Sequence, residues 1–500
     1  MTATSDVAVP AVPRTRIQGT EQQENFWEEL LTGSRHVLLE ARAGTGKSTS
    51  CREGMWRLLE GNSNLAIRYC CFNKKVADEF AVKCPPGVDV GTMHRFGLQA
   101  LKSAFGCEID AQKTYTVLDM LGGENLKRYH RKAISTLVSL AKNHAIRPET
   151  LEPADPRWYD LITHYDVNTW FKTDDVVYWA DKVLCKSAEM TSLVDFDDML
   201  WLAILHPVAF PSVDFLFIDE CQDLNPVQHE LAERLSGSGR TIVVGDPFQA
   251  IYAFRGADSD SIPKLRDRLN ALTMPLTVTW RCPRSHVELA RTLVGDFTAA
   301  PEAPEGILEA SDMKAVEDAQ LGDLVLCRAN APVIAACLKA IARRVPAIVR
   351  GRSIGDQLLT VHRKVDDAGS IGAWLRNLDI WRAKEVDRLE ARDGTESLVE
   401  AVMDKAACLL AIGSSCDSPS EIPGVIGRLF SDDNAENRVT FSSVHRAKGS
   451  EARRVHYIQV PYSEKRDKVR PPQPWEVQQR KNLRYVALTR SLDYLNLVTA

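Results

Sequence analysis

ARAGTGKST, Ala41 to Thr49, is the stretch that decides the fold of this chain. The run before it, HVLLE from His36 to Glu40, is short and apolar, as a parallel strand buried on both faces requires. Gly44 and Gly46 let the backbone turn tightly and aim its N–H groups at an anion. A helix starting near Lys47 brings its positive end to the same spot. Lys47 can reach β- and γ-phosphate oxygens, and the Ser48 hydroxyl suits Mg²⁺. The expected ligand is therefore ATP with Mg²⁺, held by Ala43, Gly44, Thr45, Gly46, Lys47, Ser48 and Thr49. Ala41 stands where the usual pattern opens with Gly.

Further along, FIDECQDLNPVQ (Phe217 to Gln228) follows another apolar run. Asp219 and Glu220 would lie at a strand's carboxyl end, where open α/β sheets bind ligands. Asp219 suits the Mg²⁺ shell, and Glu220 is placed to polarise an attacking water. TIVVGD (Thr241 to Asp246), GDLVLCRAN (Gly322 to Asn330) and RVTFSSVHRAKG (Arg438 to Gly449) open further buried-strand candidates.

This alternation predicts an α/β protein with two parallel-sheet domains, each split by a mainly helical insertion. A Pro- and Thr-rich tail occupies residues 1–15. The first sheet domain takes 16–100 and 192–272, around an insertion at 101–191. The second takes 273–355 and 433–500, around an insertion at 356–432. A length of 500 residues accommodates this organisation.

Composition narrows the class. No stretch is long and apolar enough to span a bilayer, and the N-terminus lacks a signal-peptide pattern. A cytoplasmic or nucleoid-associated protein without membrane partners is expected. The 12 cysteines are scattered without a C-x-x-C pair, which disfavours a zinc site and points to small buried thiols. A net charge of −5 excludes a bulk polycation, yet one basic groove for nucleic acid remains compatible with it.

DECQDLNPVQ, VVGDPFQAIYAFRGAD (Val243 to Asp258), TWRCP (Thr279 to Pro283), SSVHRAKGSE (Ser442 to Glu451) and NLRYVALTR (Asn482 to Arg490) together resemble superfamily 1 helicases of the UvrD/Rep type. The resemblance runs in that family's order from Gln22 to Arg490, and it implies two RecA-like domains of the P-loop NTPase kind. It implies that Gln22, with Gln23 as the alternative in TEQQ, reads the adenine edge, and that Trp280 stacks on the base where the family usually has Tyr. Arg281 and Gln249 would meet the γ-phosphate, Arg490 would be the arginine finger, and Glu451 the acid beside the ribose. For nucleic acid it implies Phe72, Asn73 and Lys74 in CFNKKVADEF, Thr92 and His94 in GTMHRFG, Phe254 and Arg255 in IYAFRGA, and His445 and Lys448 in VHRAKG.

The activity implied is an ATP-dependent DNA helicase translocating 3′ to 5′ on single-stranded DNA, engaging single/double-strand junctions and replication or repair proteins. A translocase that unwinds poorly and a non-catalytic ATP-gated binding module are the rival readings. Three further residues depart from the family: Arg42 replaces a Gly, Cys221 an Ala, and Arg480 a Glu. Both helical insertions are short for the family.

Overall fold

The computed structural model describes residues 16–148, 155–165, 167–169, 172–251, 261–365, 369–390, 396–431, 437–462, 471–472 and 474–499. Among these, two parallel sheets form the framework. The first has six strands in the order Asp89–Thr92, Ile67–Cys71, Phe215–Ile218, Arg240–Gly245, Val37–Ala41, Leu272–Leu276. Its central strands read VLLEA, IRYCC and FLFI, continuous apolar runs buried on both faces by flanking helices. The second has seven strands in the order Ile307–Asp312, Ser491–Thr499, Ala452–Gln459, Leu324–Cys327, Val439–Ser443, Ala347–Arg350, Phe430–Ser431. The expected α/β architecture with two parallel sheets is therefore present.

The expected segment boundaries shift at two places. The strand Leu272–Leu276, assigned mostly to the second domain, pairs with Val37–Ala41 at the edge of the first sheet. An edge position tolerates Pro275, which has no N–H to donate. Phe430–Ser431, assigned to the second insertion, pairs with Val349–Arg350 in the second sheet. Both helical stretches also share a core with the sheet they interrupt. Trp158, Leu137 and Val183 belong to the same buried cluster as Leu38, Cys70 and Leu216 of the first sheet. Trp374 and Leu409 pack in one cluster with Val325 and Phe441 of the second. Among the described residues, then, neither insertion has a separate core.

A fully buried charge cluster ties the first insertion to its sheet. Lys113 and Lys142 each reach Asp198 at 2.8 Å, and Lys142 also reaches Asp195 at 2.7 Å. Asp198 starts the helix Asp198–Leu205, which packs on Met93–Phe105. All twelve cysteines are free, most of them buried, as expected for small apolar thiols. No described helix is long and apolar enough to cross a membrane.

Candidate functional site

The glycine loop lies between the strand Val37–Ala41 and the helix Lys47–Gly61. Gly44 and Gly46 take left-handed φ values of 70° and 81°. A Cβ on Gly44 would stand 2.5 Å from Arg281 Cβ, so both backbone conformation and space demand glycine. The Gly44 carbonyl accepts from the Trp280 N–H at 2.9 Å, bringing the TWRC segment onto the loop.

Lys47 points at the ends of the neighbouring strands. Its ammonium stands 3.6 Å from Glu220 Oε1, is buried, and has no hydrogen-bond partner. Burial opposes its charge, but Glu220, Asp246 and Asp219 outweigh burial and raise its pKa. An ammonium so placed, beside loop N–H groups and a helix N-terminus, is an anion site awaiting oxygen ligands. Ser48 is exposed at the helix start and Thr49 is partly buried behind it. Thr45 turns its hydroxyl back to the Arg42 carbonyl at 2.8 Å.

Asp219 and Glu220 follow the strand Phe215–Ile218, as expected. Asp219 accepts from the Tyr69 hydroxyl and from the Glu220 N–H, both at 2.9 Å. Burial, then the neighbouring Glu220, raises the Asp219 pKa. Glu220 sits in the left-handed region at φ 54° and receives the Gln222 amide. Burial works against its charge, yet Lys47 and Lys448 hold its pKa low, so Glu220 stays ionised. Such strained backbone at a carboxylate is characteristic of functional sites. Among the described residues no group of three or more His, Cys, Asp or Glu could cage a metal. The donor set instead suits Mg²⁺, which takes one or two protein ligands and completes its shell with phosphate and water.

Further charges come from Arg281, in the segment after the first sheet's last strand, and from Glu451 and Arg490, which precede strands of the second sheet. Arg281 Nε pairs with Glu451 at 2.6 Å, so the two residues expected at opposite ends of the ligand meet directly. Arg490, 1% exposed, donates to Val486 O at 2.8 Å, Ser450 O at 3.3 Å and Thr489 Oγ1 at 2.9 Å. Burial, reinforced by Arg281, lowers its pKa to about 10, and Glu220 opposes that shift. Gln249 donates to Asp246 Oδ2 at 2.7 Å, close to Lys47. Trp280 is 55% exposed at the rim, open for a planar partner. Gln22 exchanges hydrogen bonds with Thr277 at 2.8 and 3.0 Å on the same rim. Gln23 is buried, capping its own helix and bonded to Ser50.

Two expectations need correction. The Ala43 N–H is not free for an anion, because it donates to the Tyr485 hydroxyl at 2.9 Å, inside a buried cluster. Lys448 does not face a nucleic-acid surface: its ammonium binds Asp223 and donates to Gln249 O at 2.8 Å between the two sheets. Burial lowers the His94 pKa to about 4, so the ring faces the nucleic-acid candidates uncharged at neutral pH.

The other nucleic-acid candidates fall in two places. Phe72, Asn73, Lys74, Thr92 and His94 line one cleft of about 1090 Å³. Asn73 and Thr92 cap the helices Lys74–Ala81 and Met93–Phe105, accepting from Val76 N and Arg95 N. His445 lines a second cleft of about 360 Å³ with Arg328, Tyr462, Trp475 and Arg480. Phe254 and Arg255 lie outside the described residues.

Sequence reading missed several residues. Phe196 is 62% exposed in the larger cleft and stacks on His94 with ring centroids 4.0 Å apart. Asp246, fully buried near Lys47, ends its strand as Asp219 ends another, and that parallel was the signal available. Asp223 lies three residues past the expected pair, and Tyr485 stands within NLRYVALTR, where nothing local marks its bond to Ala43.

Residues 20–270 match the family model for the UvrD/REP helicase N-terminal domain. The chain is 25% identical over 301 residues to the ATP-dependent DNA helicase PcrA of Leuconostoc citreum, covering 53% of this chain and 38% of the relative. It is 26% identical over 302 residues to DNA helicase II of Salmonella typhimurium, covering 53% and 39% respectively. With the F-box DNA helicase 1 of Gallus gallus, identity is 24% over 255 residues, covering 49% of this chain and 25% of the relative. The match thus spans less than two fifths of the length of each of these relatives. The family model covers half of the chain, with its glycine loop and acidic strand end, and on that ground the chain belongs to the UvrD/REP helicase family.

Proposed function

We propose that this chain is an ATP-driven motor on single-stranded DNA, moving 3′ to 5′ and unwinding duplex at single/double-strand junctions, with replication or repair proteins as partners. One observation carries the reading: the buried, unbonded Lys47 ammonium faces Glu220, with Arg281 and Arg490 close by. Phosphoryl transfer depends on neutralising charge that spreads over the phosphate oxygens. Lys47 supplies one cation from the first sheet, and Arg490 supplies another from the second. Ser48 and Asp219 would hold Mg²⁺, which adds charge neutralisation at the phosphates when bound. Glu220, kept ionised by Lys47 and Lys448, orients the attacking water.

The nucleotide's far end fits the same arrangement. Trp280 offers an exposed indole face to adenine, and Gln22 stands beside it on Thr277. Arg281 leaves Glu451 for the γ-phosphate, freeing that carboxylate for the ribose. Loss of the γ-phosphate removes the group both sheets hold, and relative motion follows. The strand occupies the cleft of Phe72, Lys74 and Phe196, where aromatics stack bases and Lys74 meets phosphate. No groove-reading helix is involved, so binding is independent of sequence.

A strand-displacement assay beside a DNA-stimulated ATPase assay tests the proposal. Both activities are expected. Turnover without displacement would leave a translocase, and binding without turnover would overturn the motor reading.

A further inference from the structure

One helix reaches both the glycine loop and the turn that carries Gln249. Pro474–Leu488 packs its Leu483, Val486, Ala487 and Leu488 into the core of the second sheet. From its other face, Asn482 donates to Pro247 O at 3.1 Å and Ala250 O at 2.9 Å. Those two carbonyls bracket Gln249. Three residues on, Tyr485 accepts the Ala43 N–H of the glycine loop at 2.9 Å. Residues three apart share one helix face, so Asn482 and Tyr485 act in the same direction. Arg490 follows directly, its guanidinium fixed by Val486 O and Thr489.

The loop is held from the other side as well. Arg42, which replaces a small residue, forms two bonds to Asp296 at 3.0 and 2.7 Å and lies over the Phe248 ring at 4.8 Å. Asp296 belongs to the segment joining the two sheets. Phe297 beside it packs on Tyr485 with ring centroids 5.6 Å apart. Ala43, Cys282, Val294, Phe297 and Tyr485 form one buried cluster behind the loop.

We propose that Asn482 and Tyr485 are positioning residues that set the distance from the glycine loop and the Gln249 turn to Arg490, with Arg42–Asp296 as the loop's second anchor. The proposal rests on the ATPase reading and adds how the second sheet registers the state of the loop. Neither residue is among those assigned to the nucleotide. Each fixes a backbone element on which charge-neutralising groups stand, and small displacements of such groups are felt mainly in the transition state.

Tyr485→Phe keeps the ring and removes only the hydroxyl. Steady-state ATPase with single-stranded DNA, together with a count of nucleotide sites using a fluorescent ADP analogue, separates the outcomes. A hydrogen bond of ordinary net strength predicts a fall in kcat per site of about 2- to 12-fold, with KM within about twofold. Asp296→Ala, outside the loop, is expected to lower kcat per site in the same way. Unchanged kcat, a KM effect alone, or fewer sites with normal turnover per site would each overturn the proposal. A wild-type protein with no DNA-stimulated turnover would instead overturn the ATPase reading, so the two failures are distinguishable.

Discussion

Replacing Phe196 by alanine separates base stacking from phosphate binding in the larger cleft. The ring is 62% exposed and stacks on His94 at the cleft surface, so its loss should leave the fold intact. Stacking of a base on an aromatic is worth about 1–3 kcal/mol. At about 1.4 kcal/mol per tenfold, Kd for an oligodeoxythymidylate should rise about 5- to 150-fold. His94 stays neutral at pH 7, so no phosphate contact disappears with the ring. The slope of log Kd against log salt should therefore match wild type. Lys74→Ala should do the reverse, lowering that slope by about 0.7 per lost contact on a single strand. Fluorescence anisotropy across a salt series reads both quantities. An unchanged Kd for Phe196→Ala, or a changed salt slope, would refute the assignment of that ring to a base.

Other consequences follow from the buried charges and the loop. Burial raises the Asp223 pKa to about 6 from an ordinary 3.8, against the pull of Lys448. Between those values the folded state binds more protons than the unfolded one, so this residue's contribution to stability falls as pH rises from about 4 to 6. Asp223→Asn should remove about 3 kcal/mol of that decline, read as the difference from wild type in denaturant unfolding at the two pH values. An identical pH dependence in both proteins would contradict it. Asp198→Ala takes its carboxylate partner from buried Lys113 and one of two from Lys142, and should cost about 3–5 kcal/mol by the same unfolding assay; a loss under about 1 kcal/mol would show the cluster to be solvated. Gly44→Ala forces a side chain onto left-handed backbone and into Arg281, so fluorescent-nucleotide affinity should fall at least tenfold, and retained affinity would show that the loop relaxes.

The central strands were legible where a buried apolar run leads into a glycine loop or an acidic residue. VLLEA before a glycine loop and FLFI before Asp219 each carry a local physical signal. Lys47, Glu220 and Asp219 were placed for the same reason. Partners far apart in the chain were not legible. Tyr485 and Ala43 are separated by 442 residues, and nothing around either announces the bond. Lys448 reads as a surface cation until Asp223 is seen beside it. Phe196 reads as one more apolar residue in a helical stretch, because exposure is set by the packing of its neighbours. The insertion boundaries failed for a related reason: a helix that shares the sheet's core has the same amphipathic pattern as one with a core of its own.

The most direct measurement is the rate of ATP hydrolysis at saturating nucleotide, with and without oligodeoxythymidylate, for wild type and Lys47→Ala. A site completed by both sheets and governed by the bound strand predicts strong stimulation by DNA in the wild type and no turnover in the variant. Hydrolysis indifferent to DNA, or surviving the loss of Lys47, would contradict it.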